Sequence, residues 1–147
     1  QIILNLLESG ISFNSATFLI QKELANRFAP REGKSTKISL QANFFANVEQ
    51  LFDVHPEAFI PKPKVESMVL LLEPKIPEIK IKDLSNLEFI TNIFFSQKRK
   101  IIKKTFQKLF KDYKLYAEKL GLSLRERPSE LTPNKYYQIT EMFENIK

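Results

Sequence analysis

The sequence changes character near its middle, and this change limits the folds that the chain can adopt. Residues 16–20 and 67–72 are short, strongly apolar runs that are typical of buried strands, the first of the kind found inside a parallel sheet. Residues 74–82 alternate Lys, Pro and Ile, a composition typical of a linker. Beyond them the apolar residues recur only at helical spacing. The sequence therefore predicts an α/β part over residues 1–75, a linker over 76–82 and an all-helical part over 83–147.

The same patterns predict a stiff segment and several individual helices. Three prolines between residues 55 and 64 predict an extended segment, because proline fixes φ and donates no hydrogen bond. Ser85 and Glu88 have the spacing of a capping box. Thr132 followed by Pro133 predicts the start of the last helix, which would bury Tyr136, Ile139, Phe143 and Ile146. The other predicted elements are helices over 1–9, 21–28, 38–48, 98–113 and 115–120 and a strand over 51–54.

Composition excludes several kinds of site. The chain has no Cys and a single His, His55, so disulfides, thiolate or His-rich metal sites and Cys nucleophiles are excluded, and we expect no bound metal. Its three glycines form no phosphate-binding loop, and no Ser/His/Asp set or carboxylate pair completes a catalytic site. No apolar run is long enough to span a bilayer. A reducing, cytoplasmic location is compatible with this composition.

The positive charge is concentrated in one segment. The chain carries a formal net charge of +6. Residues 96–119 hold nine basic side chains and two acidic ones, Asp112 and Glu118; nine minus two leaves +7 there and −1 elsewhere. A localised positive charge of this kind indicates a polyanionic partner, most often a nucleic acid. On charge alone, a lysine-rich face that is merely solvated is an equal alternative.

The helix predicted over residues 98–113 is amphipathic. At about 100° per residue, Phe106 lies on one side, close to Ile102, Leu109, Phe110 and Tyr113. The opposite face is cationic, and Asp112, four residues after Lys108, is the single acidic residue in the helix, which favours polyanion binding over simple solvation. Binding to a membrane surface is the second alternative. The residues predicted to contact RNA here are Lys98, Arg99, Lys100, Lys103 and Lys104.

The segment around Phe59 is a second candidate site. Prolines at alternate positions hold Phe59, Lys62 and Lys64 in a fixed extended geometry. A rigid aromatic ring beside lysines suits stacking on a base with phosphates nearby. For Phe59 alone, the alternative is a ring buried beneath the prolines as part of the core.

Four segments share their order and spacing with a known family. They are QKELANRF at 21–28, FDVHPEAFIPKPKVES at 52–67, FSQKRK at 95–100 and RPSELT at 127–132. The second is similar to F-x-V-P-P-x-A-F-x-P-P-P-K-V-D-S and the third to F-x-Q-R-R-K, and both patterns are specific; the other two are weak alone. On these segments, which run from about residue 15 to the end, the chain resembles KsgA/Erm-type rRNA adenine N6-dimethyltransferases.

The resemblance implies an enzyme that uses S-adenosylmethionine to place two methyl groups on the N6 atom of adenines in small-subunit rRNA; Erm relatives act on large-subunit rRNA. It implies a Rossmann-like methyltransferase domain, of which residues 1–75 would be the C-terminal part, followed by an RNA-binding helical domain over 83–147. The family's glycine-rich cofactor loop, acidic ribose ligand and Asn-[Leu/Ile]-Pro-[Tyr/Phe] motif lie upstream. We therefore expect a chain cut from a longer protein, without a complete catalytic site, without bound cofactor and inactive alone. Phe59 falls at the family's late motif beside the target adenine.

The chain also departs from the family pattern. Residues 35–39 read STKIS where the family has Tyr-Gly-Arg-Leu-Ser, and His55 and Lys62 each replace a proline. These departures concern loop details. We expect a cytoplasmic, monomeric protein of ribosome biogenesis that binds rRNA and no membrane. A non-catalytic transcription or ribosome-assembly factor that binds nucleic acid through its helices is the alternative.

Overall fold

The computed structural model describes residues 1–30 and 34–147, which form two compact units. The first unit contains residues 1–30 and Gln41–Pro77, and the second contains residues 34–40 and Glu78–Lys147. Two short 3₁₀ turns, Pro56–Ala58 and Pro128–Glu130, accompany the regular elements. In chain order these are α1 Ile2–Glu8, β1 Ala16–Gln21, α2 Lys22–Phe28, α3 Lys37–Phe45, β2 Ala46–Val54, β3 Ser67–Pro74, α4 Leu84–Phe95, α5 Lys103–Leu109, α6 Tyr113–Lys119 and α7 Pro133–Ile146.

The first unit is built on an antiparallel sheet of three strands in the order β1-β3-β2. The predicted strands are confirmed. The expectation that residues 16–20 lie in a parallel sheet is wrong, because β1 pairs with β3 in antiparallel orientation. Along β1, Phe18 and Ile20 are half-buried whereas Thr17 and Leu19 are exposed. Only one face of this strand is covered, an arrangement that is common in antiparallel sheets. A continuous apolar run does not show whether one face of a strand or both faces are buried.

The covered face of the sheet forms the core of the first unit. Met68, Leu70 and Leu72 alternate along β3 and are almost fully buried. Helix α2 packs on this strand and contributes the buried Ala25 and Phe28. The period-2 burial of β3 fixes its register, because a slip of one residue would expose the whole apolar set.

Two predicted element boundaries are wrong for identifiable reasons. The helix predicted over 38–48 ends at Phe45, and β2 begins at Ala46 rather than at residue 51. Pairing with β3 already starts at Ala46, opposite Pro74, so sheet hydrogen bonding overrides the helical spacing. The predicted capping box at Ser85 is also wrong, because the extended residue Asp83 caps α4 and accepts a hydrogen bond from the Ser85 N–H at 2.9 Å.

The helical unit has an aromatic core centred on Tyr136. This residue is fully buried, its hydroxyl donates to the Pro128 carbonyl oxygen at 2.6 Å, and its ring contacts Phe94 and Phe95. Burial raises the pKa of the Tyr136 hydroxyl well above its usual value, so it stays a donor. The predicted start of the last helix is confirmed, since Thr132 caps α7 and Pro133 opens it.

Two further features belong to this unit. Phe143 is only half-buried and Ile146, the last residue of α7, is 46% exposed, so their predicted full burial is wrong. Residues 34–40 join the helices because Ser35 Oγ donates to the Leu131 carbonyl oxygen at 2.7 Å and the Tyr137 hydroxyl to that of Leu40, also at 2.7 Å. Across the described ranges, no helix combines the length and the hydropathy that crossing a bilayer requires.

Glu144 ties the start of α4 to α7. Its carboxylate accepts hydrogen bonds from the backbone N–H groups of Lys82 and Asp83 at 2.8 and 3.0 Å and from Asn86 Nδ2 at 2.9 Å. Partial burial opposes ionisation of Glu144, but these hydrogen bonds and the charge of Lys82 outweigh it and lower its pKa. The Glu144 carboxylate thus holds the first turn of α4 against α7.

We expect Glu144→Gln to lower the free energy of unfolding at pH 7 by about 1 kcal/mol, a value discounted for partial exposure. Because the folded-state pKa of Glu144 is lowered, its contribution is present above the usual carboxyl pKa and is lost as the pH falls through the folded value. Urea denaturation at pH 7 and pH 3 measures both effects. Glu141→Gln is the control, since the Glu141 side chain makes no hydrogen bond or ion pair with any described residue. Equal stability of the two variants at pH 7 would contradict the proposed role of Glu144.

Candidate nucleic-acid interface

Residues 96–119, here called the cationic segment, do not form the continuous helix predicted over 98–113. Lys98, Arg99 and Lys100 lie in turns before α5, and an extended Phe110 (φ −130°, ψ 122°) ends α5 before α6 begins. The backbone N–H of Ile102 donates to the Glu126 carbonyl oxygen at 2.9 Å. This bond to a distant loop diverts the backbone just before α5, which sequence periodicity cannot show.

The apolar side of the cationic segment is nevertheless the one predicted. Ile102, Phe106 and Phe110 are almost fully buried in the helical core, and the Phe106 and Phe110 rings lie 4.7 Å apart. Leu109 and Tyr113 pack against the same core while remaining partly exposed. Because the apolar residues point inward, all nine basic side chains of the segment are exposed.

None of these nine basic side chains forms an ion pair with a residue in the described part of the chain. Their one recorded close interaction is that of Lys119, whose Nζ lies 5.6 Å from the centre of the Tyr116 ring. Uncompensated like charges on one surface repel each other and attract a polyanion. Besides the five predicted contact residues, the other four basic residues counted in the sequence are equally exposed: Lys108, Lys111, Lys114 and Lys119.

Phe59 lies in the segment that connects β2 to β3. The start of this segment is a 3₁₀ turn at Pro56–Ala58 rather than the uniformly extended chain predicted, with the Ala58 N–H donating to the His55 carbonyl oxygen at 3.0 Å. Phe59 itself is extended and half-buried, and the next residue, Ile60, is fully exposed. The ring of Phe59 is therefore partly covered by the protein and partly accessible to a ligand.

The two lysines of this segment differ. Lys62 Nζ lies 2.7 Å from Glu57 Oε1, and this partner lowers the pKa of the Glu57 carboxyl. Lys64 is exposed and forms no ion pair with a described residue. Lys64 therefore offers an uncompensated charge, whereas Lys62 would have to exchange Glu57 for a phosphate. Phe59, Lys62 and Lys64 belong to the first unit, and the cationic segment belongs to the second.

One set of contacts at this site was not predicted from the sequence. Lys22 Nζ lies 3.1 Å from Asp53 Oδ2 and 3.0 Å from Glu66 Oε2, at the two ends of the segment that carries Phe59. These residues are 31 and 44 positions apart, so no local sequence pattern could have found them.

Comparison with known proteins places the chain in a family. Residues 1–145 match the family model described as ribosomal RNA adenine dimethylase. The chain belongs to this family. It is 39% identical over 147 residues to ribosomal RNA small subunit methyltransferase A of Pelagibacter ubique (strain HTCC1062), covering 99% of the chain and 56% of that protein. The protein of the same name from Lactobacillus johnsonii is 33% identical, with 98% and 50% covered, so the chain spans about half the length of these curated relatives.

Two solved structures show the fold of this dimethylase-family chain. The 23S rRNA methyltransferase ErmE superposes with a TM-score of 0.72 at 18% identity, covering 94% of the chain and 57% of ErmE. A dimethyladenosine transferase from Plasmodium falciparum superposes with a TM-score of 0.70 at 21% identity, covering 97% and 61%. The predicted fold class, the later part of a Rossmann-like methyltransferase sheet followed by helices, is confirmed.

The described glycines form no glycine-rich loop of the kind that cradles S-adenosylmethionine. A cofactor cradle requires glycines where backbone approaches the ligand, and the two described glycines, Gly10 and Gly121, instead end helices α1 and α6 with φ of 74° and 57°. Gly33 lies outside the described residues. Nor do the described residues contain a group of three or more His, Cys, Asp or Glu side chains that could hold a metal ion.

We expect this 147-residue chain to show no micromolar affinity for S-adenosylmethionine in a calorimetric titration, because its described glycines end helices and form no cofactor loop. The full-length Pelagibacter relative, titrated in the same way, is the positive control. Micromolar binding by the chain itself would show that its residues hold the cofactor after all.

Proposed function

We propose that this chain is the RNA-holding part of an rRNA adenine N6-dimethyltransferase and supplies one wall of its target-base pocket. The observation that supports the RNA role most strongly is the cationic segment, with nine exposed basic side chains and no acidic partner among the described residues. Lysine side chains of this kind neutralise phosphates without reading base sequence. The segment would therefore position rRNA, and specificity would come from elsewhere.

The names of the relatives support the finer parts of the proposal. Two are small-subunit methyltransferases by name, which favours small-subunit rRNA as the substrate. Bacterial ribosomes assemble in the cytoplasm, so the proposal includes a cytoplasmic location. It also includes a monomer, which analytical ultracentrifugation of the chain would test.

The proposal assigns a limited chemical role to this chain. Transfer to N6 requires the adenine to leave its stack and to be held in line with the methyl donor. Phe59, half-buried and followed by the fully exposed Ile60, would stack against the extruded base. Lys64, and Lys62 after release from Glu57, would contact the flanking phosphates. The family's Asn-[Leu/Ile]-Pro-[Tyr/Phe] motif, which would grip the N6 amino group, is not among the segments that this chain matches, so the chain would bind and orient the base without performing the transfer.

Replacing Lys100, Lys103 and Lys104 with Gln is expected to weaken binding to all RNA sequences together. Each phosphate contact contributes roughly 0.7–0.9 to the slope of log K against log salt, so the slope should fall by about two to three units. Gln is a comparable helix former, so helicity should be unchanged. Fluorescence anisotropy of a labelled rRNA hairpin across a salt series measures the slope.

The matched control removes the same charge from outside the segment, at the exposed lysines Lys75, Lys80 and Lys82. This control should change the slope far less than the first triple variant does. Equal slopes for wild type and both variants would mean that the cationic segment is merely solvated.

Phe59→Leu is expected to slow methylation in a protein that joins this chain to the cofactor-binding half found upstream in the family. Losing the stacked ring should cost roughly 1–3 kcal/mol, a reduction of about 5- to 150-fold in turnover. Phe59→Tyr keeps the ring and is the control. A Leu variant that folds and methylates a small-subunit rRNA hairpin at the wild-type rate would make Phe59 a core residue only.

A further inference from the structure

Lys22 sits where it can hold both ends of the segment that carries Phe59. It is the first residue of α2, and its Nζ contacts Asp53 Oδ2 at 3.1 Å and Glu66 Oε2 at 3.0 Å. Its backbone N–H also donates to the Glu66 carbonyl oxygen at 3.0 Å. One residue therefore binds Glu66 twice and Asp53 once.

The two carboxylates lie near the two ends of the segment. Asp53 is the penultimate residue of β2, and Glu66 directly precedes β3. The last strand pair before the segment is Val54 opposite Ser67, so residues 55–66 leave the sheet as a loop whose neck lies between Asp53 and Glu66. Within that loop, Phe59 is placed by its own short turn and by the geometry of the neck.

We propose that Lys22 is a positioning residue, whose ammonium group ties the two limbs of the 55–66 loop together and thereby holds Phe59 in place against its target. The part of this proposal that concerns catalysis rests on the proposed role of Phe59 as a wall of the base pocket. The closing of the loop by Lys22 does not depend on that role.

The energetics fit a positioning role better than a stabilising one. The side chains of Lys22, Asp53 and Glu66 are 34%, 39% and 41% exposed, and ion pairs at such sites contribute little to global stability. The hydrogen bond to Glu66, followed by the one to Asp53, raises the pKa of Lys22, so the tie stays charged at physiological pH. His55 Nδ1, 3.6 Å from Glu66 Oε1, would add a second cation at the neck when protonated.

The first test needs only the chain itself. Lys22→Met removes the ammonium group and keeps the aliphatic stem, and amide hydrogen exchange is followed at Ala58 and Phe59, which form the turn within the loop. We expect exchange there to accelerate by roughly two- to tenfold, because the loop loses one or two exposed ion pairs. Lys22→Arg, which can still bridge two carboxylates, should restore slow exchange.

Lys75→Met is the matched control, because it removes the same charge from an exposed lysine just after the other end of β3. Should Lys22→Met fail to fold, Glu66→Gln removes one limb of the tie with an isosteric side chain and should give the same direction of change. Unchanged exchange at Ala58 and Phe59 in a folded Lys22→Met or Glu66→Gln variant overturns the proposal.

The second test measures methylation by the protein that joins this chain to the cofactor-binding half of the family. We expect Lys22→Met to lower kcat while leaving the KM for RNA near its wild-type value, and Lys22→Arg to restore kcat. Faster exchange with unchanged kcat overturns the positioning role. If Phe59→Leu also leaves kcat unchanged, the proposed role of Phe59 fails as well. If instead kcat is low for Phe59→Leu and normal for Lys22→Met, only the proposed role of Lys22 fails.

Discussion

The pairing of β3 with both neighbouring strands is the interaction on which the first unit depends. One side of β3 pairs with β1 and the other with β2, from Val54 opposite Ser67 to Ala46 opposite Pro74. A bulge between Gln50 and Phe52 shifts the register of β2, and Gln50 Nε2 donates to the Ala29 carbonyl oxygen at 2.7 Å. The register thus decides where the 55–66 loop leaves the sheet, and with it the position of Phe59.

Burial and charge oppose each other in the helical unit. Ile102, Phe106 and Phe110 must face the core, and this orientation forces the intervening lysines into solvent. Their mutual repulsion disfavours the compact state, and burial of three large apolar side chains offsets it. Binding of a polyanion relieves the repulsion between these lysines. The packing of the aromatic core, which forces the lysines outward, thus favours the proposed binding of RNA.

Local sequence signals predicted several elements correctly but not the cap of α4, and contacts between distant residues were not predictable from the sequence. The Thr132–Pro133 helix start and the strand at 67–72 depend on neighbouring residues and are confirmed. The continuous 98–113 helix is wrong because residues 98–100 lie in turns, Ile102 bonds to the distant Glu126, and Phe110 is extended and ends α5. The tie at Lys22 joins residues up to 44 positions apart and has no local pattern at all. Family motifs located Phe59, but its half-buried state comes only from the structure.

The cationic segment is the surface on which we propose that this chain holds rRNA. Lysine acylation followed by mass spectrometry, with and without a small-subunit rRNA hairpin, tests it residue by residue in one unmodified chain. We expect RNA to protect Lys100, Lys103 and Lys104 from acylation, while the exposed Lys75 and Lys80 react as before. Equal protection of both groups, or protection of neither, would contradict it.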